Sequence, residues 1–226
     1  MSEPAGTVLP VYFIADCSWS MAGDPIAEVN KGLTSLLDAL QSESMAASKV
    51  RFCIIGFDDQ ARCPLEPTDL RQIESMPTLS AGGTTSYAAA LSALYQRLPV
   101  DVQNLKGQNY LVNRPAVFFL SDGAPNGGDG WEQVHDNLVS PAFRQRPNIL
   151  SFGIGQADAA TISRVASKPE YAFVAAAGVD TGQAIAKFIE ALTHSVITSG
   201  LALASGQGSL QVDKPDGFIS LAVDTV

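Results

Sequence analysis

The chain alternates between short segments that are almost uniformly apolar and longer segments in which apolar residues recur every three or four positions. Short, uniformly apolar segments are typical of strands that are covered on both faces of a sheet. They predict four strands, at residues 8–15, 50–57, 116–120 and 148–154. Residues 61–66 follow the second strand too closely for a crossover helix, so they predict a short antiparallel strand, and Pro64 suits a sheet edge.

The periodic segments predict helices with one apolar face. There are five of them, at residues 25–43, 86–98, 131–143, 158–168 and 181–197. Asp24 and Asp158 stand where the N-caps of the first and fourth helices are expected, and Pro25 fits a first helical turn. Strands that alternate with helices indicate an α/β fold, here a Rossmann-like three-layer sandwich with a mostly parallel central sheet, one antiparallel edge strand and helices on both faces.

Composition and charge narrow the classes of partner. The chain has 226 residues, enough for one substantial core, and 46% of them are hydrophobic while 16% are charged. These proportions are typical of an ordered globular domain. The formal net charge of −9 opposes binding to nucleic acid or to an anionic membrane, and no basic stripe offsets it. We therefore expect neither kind of partner.

The first residues and the cysteines bear on location. Residues 1–7 lack a basic segment followed by a long apolar one, so they predict no secretory signal and a cytoplasmic protein. Charged residues interrupt the apolar segment 185–204, which predicts a helix of a globular domain rather than a membrane span. Three cysteines without CxxC spacing favour neither a disulfide framework nor a thiolate zinc site. Cys17 is interpreted as a small buried apolar residue.

Candidate chemistry lies at three predicted loops. Asp16, Ser18 and Ser20 alternate along the loop after the first strand, and Asp122 follows the strand 116–120. Ligands of open α/β sheets bind beyond the carboxyl ends of such strands. A glycine pair just before a helix presents the hydroxyls of two further candidates, Thr84 and Thr85. Two carboxylates with several hydroxyls form an all-oxygen set that suits Mg²⁺, and to a lesser degree Mn²⁺ or Ca²⁺.

Each of these signals also has a simpler structural explanation. An Asp or Ser after a strand caps the next helix in many proteins, and one motif alone does not distinguish capping from metal binding. Asp58 and Asp59 are interpreted as a solvated turn rather than as support for the site. His135 and His194 are interpreted as ordinary helix residues. Trp131, at a helix start, fits either the core or an interface.

The segment DCSWS, the threonine after the glycine pair and the segment LSDG occur in the order that is found in von Willebrand factor A domains, and the chain resembles that family. The resemblance implies a metal-ion-dependent adhesion site with Asp16, Ser18, Ser20, Thr84 and Asp122 as ligands, completed by a carboxylate of a protein partner. Between the two threonines, the position directly after the glycine pair favours Thr84, and Thr85 stays open.

Three further segments are similar to the bacterial tellurium-resistance TerY-type branch of that family, and they read RPAVFFLSDGAPN, SFGIGQADAATISRVAS and FIEALTHSVITSG. The resemblance covers residues 8–199, after an N-terminal extension, and it implies a six-stranded sheet whose sixth strand lies near 171–175. It also implies a setting in bacterial stress response or signalling. The tail 200–226 lies beyond the resemblance, and its turn signals fit a hairpin, an added edge strand or disorder.

Two departures from the family pattern concern the site. Trp19 stands where the family usually has Gly, which places a large ring beside the expected metal and makes this residue a candidate for partner binding. After the segment GAP, the TerY-type pattern often continues with Thr-Asp, whereas this chain has Asn126 and then Gly127. A further site feature at that point is therefore not expected to carry over.

Function is argued from the site rather than the fold. The favoured hypothesis is a non-enzymatic, metal-dependent protein-interaction module. The alternative is a Mg²⁺-dependent hydrolase or phosphotransferase that uses Asp16 or Asp122, but the three loops contain no basic residue that could clamp a phosphate. The sequence contains no GxSxG elbow, the motif that would indicate acyl transfer. The first strand is not followed by the glycine fingerprint of dinucleotide-binding folds.

Overall fold

The computed structural model describes residues 4–222 and places eight strands in one sheet. The strands are β1 Gly6–Asp16, β2 Val50–Phe57, β3 Ala61–Thr68, β4 Tyr110–Val112, β5 Ala116–Ser121, β6 Asn148–Gly153, β7 Ala172–Ala175 and β8 Phe218–Ser220. The six α-helices are α1 Asp24–Ser42, α2 Ser44–Lys49, α3 Tyr87–Gly107, α4 Trp131–Val139, α5 Ala159–Val165 and α6 Thr181–Ala204. Short 3₁₀ turns lie at Trp19–Met21, Leu70–Gln72 and Pro169–Tyr171.

The strand order is β3-β2-β1-β5-β6-β7-β8, and β4 pairs in parallel with the beginning of β1. Neighbouring strands from β2 to β7 run parallel along this order, whereas β3 and β8 are antiparallel edges. The α/β sandwich class is therefore confirmed. The expected six strands with one antiparallel edge are corrected to eight strands with two, because β4 and β8 have only three residues each and leave no periodic signal in the sequence.

The sheet is covered on both faces, as the uniformly apolar strands predicted. Along β1, Val11 and Phe13 belong to one buried cluster, and Tyr12 and Ile14 belong to the other. Successive side chains of a strand point to opposite faces, so this one strand contributes to both cores. Residues of α1 and α6 pack in the first cluster, and residues of α3 and α4 pack in the second.

Several helix ends differ from the sequence-based expectation. α3 continues through Pro99 to Gly107, since apolar residues still recur at the helical period. α4 ends at Val139 because Pro141 favours an extended conformation at Ser140, which has ψ of 134°. Gly23, not Asp24, occupies the N-cap of α1. Asp158 caps α5 as expected, by accepting a hydrogen bond from the backbone N–H of Thr161.

The C-terminal helix is longer than expected because it packs against a helix that the sequence did not predict. α6 runs to Ala204 and contacts α2 closely at Gly200, where an added Cβ would lie 2.6 Å from the carbonyl oxygen of Ala46. A larger residue would force these two helices apart. Glycine inside a helix therefore marks a close approach here rather than a helix end.

The C-terminal tail contributes the last strand, β8, to the sheet. Residues of β8 pair antiparallel with β7, and the ring of Phe218 packs edge-on against Phe152 at a centroid distance of 6.2 Å. The end of the tail, residues 223–226, and residues 1–3 lie outside the described part. Within residues 4–222, none of the helices combines the length and the apolar character that a membrane span requires.

Candidate metal centre

The carboxyl ends of β1 and β5 lie side by side and bring the first part of the site together. The two strands are parallel neighbours, with Ala15 opposite Leu120, so the residues that follow them meet at one edge of the sheet. Ser121 donates its hydroxyl hydrogen to Asp16 Oδ2 at 2.6 Å, and the backbone N–H of Ser18 donates to Asp16 Oδ1 at 2.9 Å. Both carboxylate oxygens of Asp16 are therefore fixed in position.

A chain of hydroxyls links this strand end to the next. The Ser18 and Ser20 hydroxyl oxygens are 3.0 Å apart, and Ser20 donates to Asp122 Oδ1 at 2.8 Å. Ser18 is the N-cap of the 3₁₀ turn Trp19–Met21, which contains Ser20, so this turn rather than an extended loop brings the two serines together. Asp16, Ser18, Ser20 and Asp122 thus form one continuous hydrogen-bonded group at the ends of β1 and β5.

Both carboxylates of this group are buried without a cationic partner. Asp16 is 0% and Asp122 6% exposed. Burial raises the pKa of Asp16, although hydrogen bonds from Ser121 and Ser18 offset part of the effect. Burial likewise raises the pKa of Asp122 against the hydrogen bond from Ser20. Across residues 4–222, no lysine or arginine forms an ion pair with either side chain.

The two threonines occupy different environments. Thr84 is exposed; its hydroxyl donates to Asp59 Oδ1 and accepts a hydrogen bond from the Asn126 side-chain amide at 2.8 Å. Thr85 is only 9% exposed, and its hydroxyl lies 3.8 Å from the position that a Cβ on Gly123 would occupy. The structure therefore directs the Thr84 hydroxyl to Asp59, and it places the Thr85 hydroxyl beside the residue that follows Asp122.

Backbone contacts hold the threonine loop against the first loop. The N–H of Trp19 donates to the carbonyl of Gly83 at 3.0 Å, and the N–H of Gly82 donates to the carbonyl of Cys17 at 2.8 Å. Gly83 has a φ of 70°, and an added Cβ would lie 2.6 Å from Asp59 Oδ2. Only glycine fits this position without displacing the neighbouring carboxylate.

The turn after β2 contacts the threonine loop. Asp59 holds the threonine loop by accepting hydrogen bonds from both the N–H and the hydroxyl of Thr84. Burial alone would raise the pKa of Asp58, but hydrogen bonds from Arg62 and Gln60 outweigh it and hold the pKa below its usual value. The interpretation as a solvated turn fits Asp59, which is exposed, but is wrong for Asp58, which is 8% exposed. The contact of Asp59 with Thr84 spans 25 positions and is not visible in a local sequence window.

The other residues discussed from the sequence differ in their exposed fraction. Trp19 is 71% exposed and lies between the two site serines in the chain. Trp131 is 5% exposed and packs against the Tyr87 ring at 5.7 Å, so of its two interpretations the core one holds. Cys17 is 3% exposed, and burial raises the pKa of its thiol to about 12, as befits a small apolar residue. Ser121 was missed, because a serine that closes a strand carries no distinct sequence signal.

His135 has a specific environment that its helical position did not indicate. It is buried, and its Nε2 donates to the carbonyl of Val165 at 2.9 Å while its Nδ1 accepts from Arg164 at 2.7 Å. Burial and the adjacent positive charge of Arg164 lower the pKa of this imidazole. The ring therefore has a structural role between α4 and α5, away from the strand ends that form the site.

Solved structures of low sequence identity share the fold. A von Willebrand factor type A protein from Catenulispora acidiphila aligns with a TM-score of 0.55 and 13% identity over 84% of this chain and 43% of its own. The pilus adhesin SpaC from Lactobacillus rhamnosus GG gives a TM-score of 0.63 and 12% identity over 87% of this chain and 31% of its own. Proximal thread matrix protein 1 from the mussel byssus, in a structure with a zinc-occupied MIDAS motif, gives 0.52 and 16% identity over 88% and 47%.

This chain therefore spans less than half the length of each of these three proteins. No curated protein matches the sequence. The family model for the von Willebrand factor type A domain matches residues 11–192, which include both strand ends and all the candidate ligands. The chain belongs to the von Willebrand factor type A domain family.

Proposed function

We propose that the chain is a non-enzymatic protein-interaction module that binds a divalent cation and engages a partner carboxylate through it. The observation that carries this proposal is the hydrogen-bonded group of Asp16, Ser18, Ser20 and Asp122, which converges from two strand ends. Two buried carboxylates held together without a cationic side chain gain a compensating charge when a cation binds. A similar fold with a zinc-occupied MIDAS motif is consistent with a cation at this edge.

The donor set fits a hard cation. The converging side chains offer only carboxylate and hydroxyl oxygens, which are the ligands of Mg²⁺, with Mn²⁺ and Ca²⁺ as related choices. Within residues 4–222, no group of three or more His, Cys, Asp or Glu side chains converges, so hydroxyls complete any set at this edge. We propose Mg²⁺ as the cation and a threonine hydroxyl as the fifth ligand. Of the two threonines, the contacts favour Thr85 over the expected Thr84.

The charge of the chain supports a carboxylate partner that depends on the cation. At a net charge of −9, the surface repels an acidic ligand unless a local positive charge is present. A cation at the strand ends supplies that charge and attracts an Asp or Glu side chain of a partner protein. Trp19, 71% exposed beside the site serines, provides apolar contact around this ionic centre.

We propose a cytoplasmic setting in bacterial stress response or signalling, with kinase- or phosphatase-like proteins among the partners. This proposal rests on the similarity of three sequence segments to the TerY-type branch and on no contact in the structure. The proposed setting is independent of the proposed metal site. A partner from another setting would leave the metal-dependent interaction unchanged.

Capture of partners with and without the cation tests the interaction. Immobilised wild-type protein is incubated with lysate in Mg²⁺ or in EDTA, and the bound proteins are identified by mass spectrometry. We expect a partner that binds in Mg²⁺, is released by EDTA and is lost with Asp16→Asn but not with Asp38→Asn, an exposed helix residue that serves as the matched control. A partner that binds equally well in EDTA would show that another surface mediates the interaction.

A sensitive phosphatase assay distinguishes the enzymatic alternative. We expect no turnover of a generic phosphomonoester with Mg²⁺ or Mn²⁺ above that of the Asp16→Asn variant. Turnover by the wild type that Asp16→Asn abolishes would contradict the non-enzymatic proposal. Asp16 is a suitable test position because its two carboxylate oxygens are bonded within the site.

A further inference from the structure

Two thiols face each other at the edge of the sheet, and neither belongs to the proposed metal centre. Cys53 in β2 and Cys63 in the edge strand β3 have their Sγ atoms 3.6 Å apart. Cys53 is fully buried, whereas Cys63 is only partly buried on the outermost strand. A reagent from solvent therefore reaches Cys63 first, because Cys53 is buried.

The contact depends on how the two strands pair. β2 and β3 are antiparallel, and their register shifts between Phe52 and Ile54 and again between Ile54 and Gly56. Both cysteines belong to the side of the sheet that packs against α3. Irregular pairing of this kind re-aims side chains, and here it brings two residues ten positions apart into contact.

The positive charge of Arg97, on α3, acts on both thiols and favours their anionic forms. Arg97 forms an ion pair with Asp101 at 3.2 Å and with Glu66 at 3.4 Å, both through Nη2. The buried Nε of Arg97 has no hydrogen-bond partner. Among residues 4–222, it is the one buried side-chain nitrogen or oxygen atom that lacks a partner. The guanidinium of Arg97 therefore keeps one unpaired N–H donor in addition to its two ion pairs.

The pKa values of the two thiols are shifted in opposite directions. The hydrogen bond with Cys53 and the positive charge of Arg97 lower the pKa of the Cys63 thiol, against the effect of its partial burial. Burial raises the pKa of Cys53 well above its usual value. Cys63 is thus the better nucleophile toward an oxidant, and Cys53 stays a protonated thiol beside it.

We propose that Cys53 and Cys63 are a reversible redox pair that a hydroperoxide oxidises to an intramolecular disulfide. In the first step, the Cys63 thiolate attacks one peroxide oxygen; an S–O bond forms, the O–O bond breaks, and the leaving alkoxide or hydroxide takes a proton from solvent. In the second step, the Cys53 sulfur attacks Cys63; the S–S bond forms, the S–O bond breaks, and the Cys53 proton leaves with the hydroxide as water.

The overall reaction converts two thiols and one hydroperoxide into a disulfide, an alcohol or water, and water. A dithiol reductant reverses it. The disulfide needs the sulfur atoms to approach from 3.6 Å to about 2.05 Å. It also closes a short loop that contains Asp59, the residue that holds Thr84.

Thiol counting with intact-mass measurement tests the pair. The reduced full chain, freed of reductant, is treated with increasing hydrogen peroxide, denatured, and reacted with an alkylating reagent. We expect two of the three thiols to be lost together, the intact mass to fall by two hydrogen atoms, and a peptide linking Cys53 to Cys63 that dithiothreitol cleaves. Unchanged alkylation of all three thiols at peroxide excess, or a link that includes Cys17, would overturn the proposal.

Three variants separate the roles of the cysteines. Cys17→Ser should form the same disulfide with no thiol left, and failure to do so would also overturn the proposal. Cys53→Ser should accumulate a sulfenic acid on Cys63, trapped by dimedone, whereas Cys63→Ser should react with peroxide at least tenfold more slowly than the wild type. Equal peroxide reactivity of the Cys63→Ser variant would contradict the assignment of Cys63 as the attacking thiol. Far-ultraviolet circular dichroism verifies that each variant is folded.

Discussion

Ser20 donates its hydroxyl hydrogen to Asp122 Oδ1 at 2.8 Å and thereby joins two residues that lie 102 positions apart in the chain. The contact exists because β1 and β5 are parallel neighbours whose carboxyl ends reach the same edge of the sheet. It connects the hydroxyls of the first loop to the second buried carboxylate. A cation that binds at these oxygens would therefore couple loops from two different strands.

The hydrogen bond from Ser121 to Asp16 should set the strength of cation binding. In a Ser121→Ala variant, Asp16 Oδ2 loses its 2.6 Å donor, so that the carboxylate is less firmly oriented. We expect Mg²⁺ or Mn²⁺ affinity to fall by about 10- to 100-fold, the usual effect of removing a residue that orients a ligand. Isothermal titration calorimetry measures this change.

Ser151→Ala is the matched control for that experiment. Ser151 is also fully buried at a strand and donates to the carbonyl of Ile162 at 2.6 Å, but it has no contact with the site. Its loss should cost about 1–3 kcal/mol of folding free energy without changing cation affinity. Equal cation affinities of the two variants would mean that Ser121 does not act through Asp16.

The two threonines should respond differently to loss of the hydroxyl. Thr85→Val removes the buried hydroxyl beside Gly123, whereas Thr84→Val removes the hydroxyl that bonds to Asp59 and Asn126. We expect Thr85→Val to weaken cation binding by tenfold or more and Thr84→Val to weaken it less. Calorimetry on both variants distinguishes the two ligands, and the reverse order would restore the assignment that the glycine-pair spacing favours.

Removal of the exposed indole should affect the partner and not the cation. Trp19 takes part in the loop through its backbone N–H, which a Trp19→Ala variant retains. Cation affinity should stay within about twofold of the wild type, while partner affinity falls by about 30-fold, corresponding to roughly 2 kcal/mol for an aromatic anchor. Met45→Ala, at another exposed apolar residue on α2, is the control that should change neither affinity.

His135 should stay neutral below its ordinary pKa, and stability should reflect this. Its pKa is lowered in the folded chain by burial and by Arg164, so the unfolded chain binds a proton first as the pH falls. The free energy of unfolding should be insensitive to this group above pH 6.5, about the pKa of a free imidazole, and should decrease as the pH falls below that value. Thermal melts of wild type and His135→Gln from pH 8 to 5 measure the difference.

Direct observation of the imidazole provides the second half of that test. A proton NMR titration, with signals assigned from the His135→Gln and His194→Gln variants, should give a midpoint below 6.5 for His135. A midpoint above that value would contradict the hydrogen-bonding arrangement in which Nδ1 accepts from Arg164.

The parts of the fold that the sequence predicted share a strong local signal. β2 has the predicted bounds of 50–57 because every one of its residues is buried, which produces a segment that is apolar except for Arg51 and Gly56. β4 and α2 were missed because they have three and six residues, too few for a recognisable period. α6 extends beyond its predicted end because Gly200 fits against Ala46, a tertiary contact that outweighs the low helix propensity of glycine.

The same distinction applies to the sites. The convergence of Asp16, Ser18, Ser20 and Asp122 was predictable because they follow parallel strands, whose carboxyl ends meet at one edge of the sheet, and their role as cation ligands stays a prediction. The choice between Thr84 and Thr85 depends on how the loop closes at Gly83, and one residue of spacing cannot decide it. The contact between Cys53 and Cys63 depends on the irregular register of two strands, which no cysteine spacing reveals.

Calorimetric titration of the full chain with Mg²⁺ and with Mn²⁺, for wild type, Asp122→Asn and the exposed control Asp38→Asn, tests whether the ends of β1 and β5 form a metal centre. We expect one cation per chain for wild type and control, and a loss of affinity of at least about 100-fold for Asp122→Asn, whose wild-type carboxylate is 6% exposed and hydrogen-bonded to Ser20. Circular dichroism of each protein verifies the fold. Absence of binding by the folded wild type at millimolar cation, or equal affinity in all three proteins, would contradict a metal centre at this edge of the sheet.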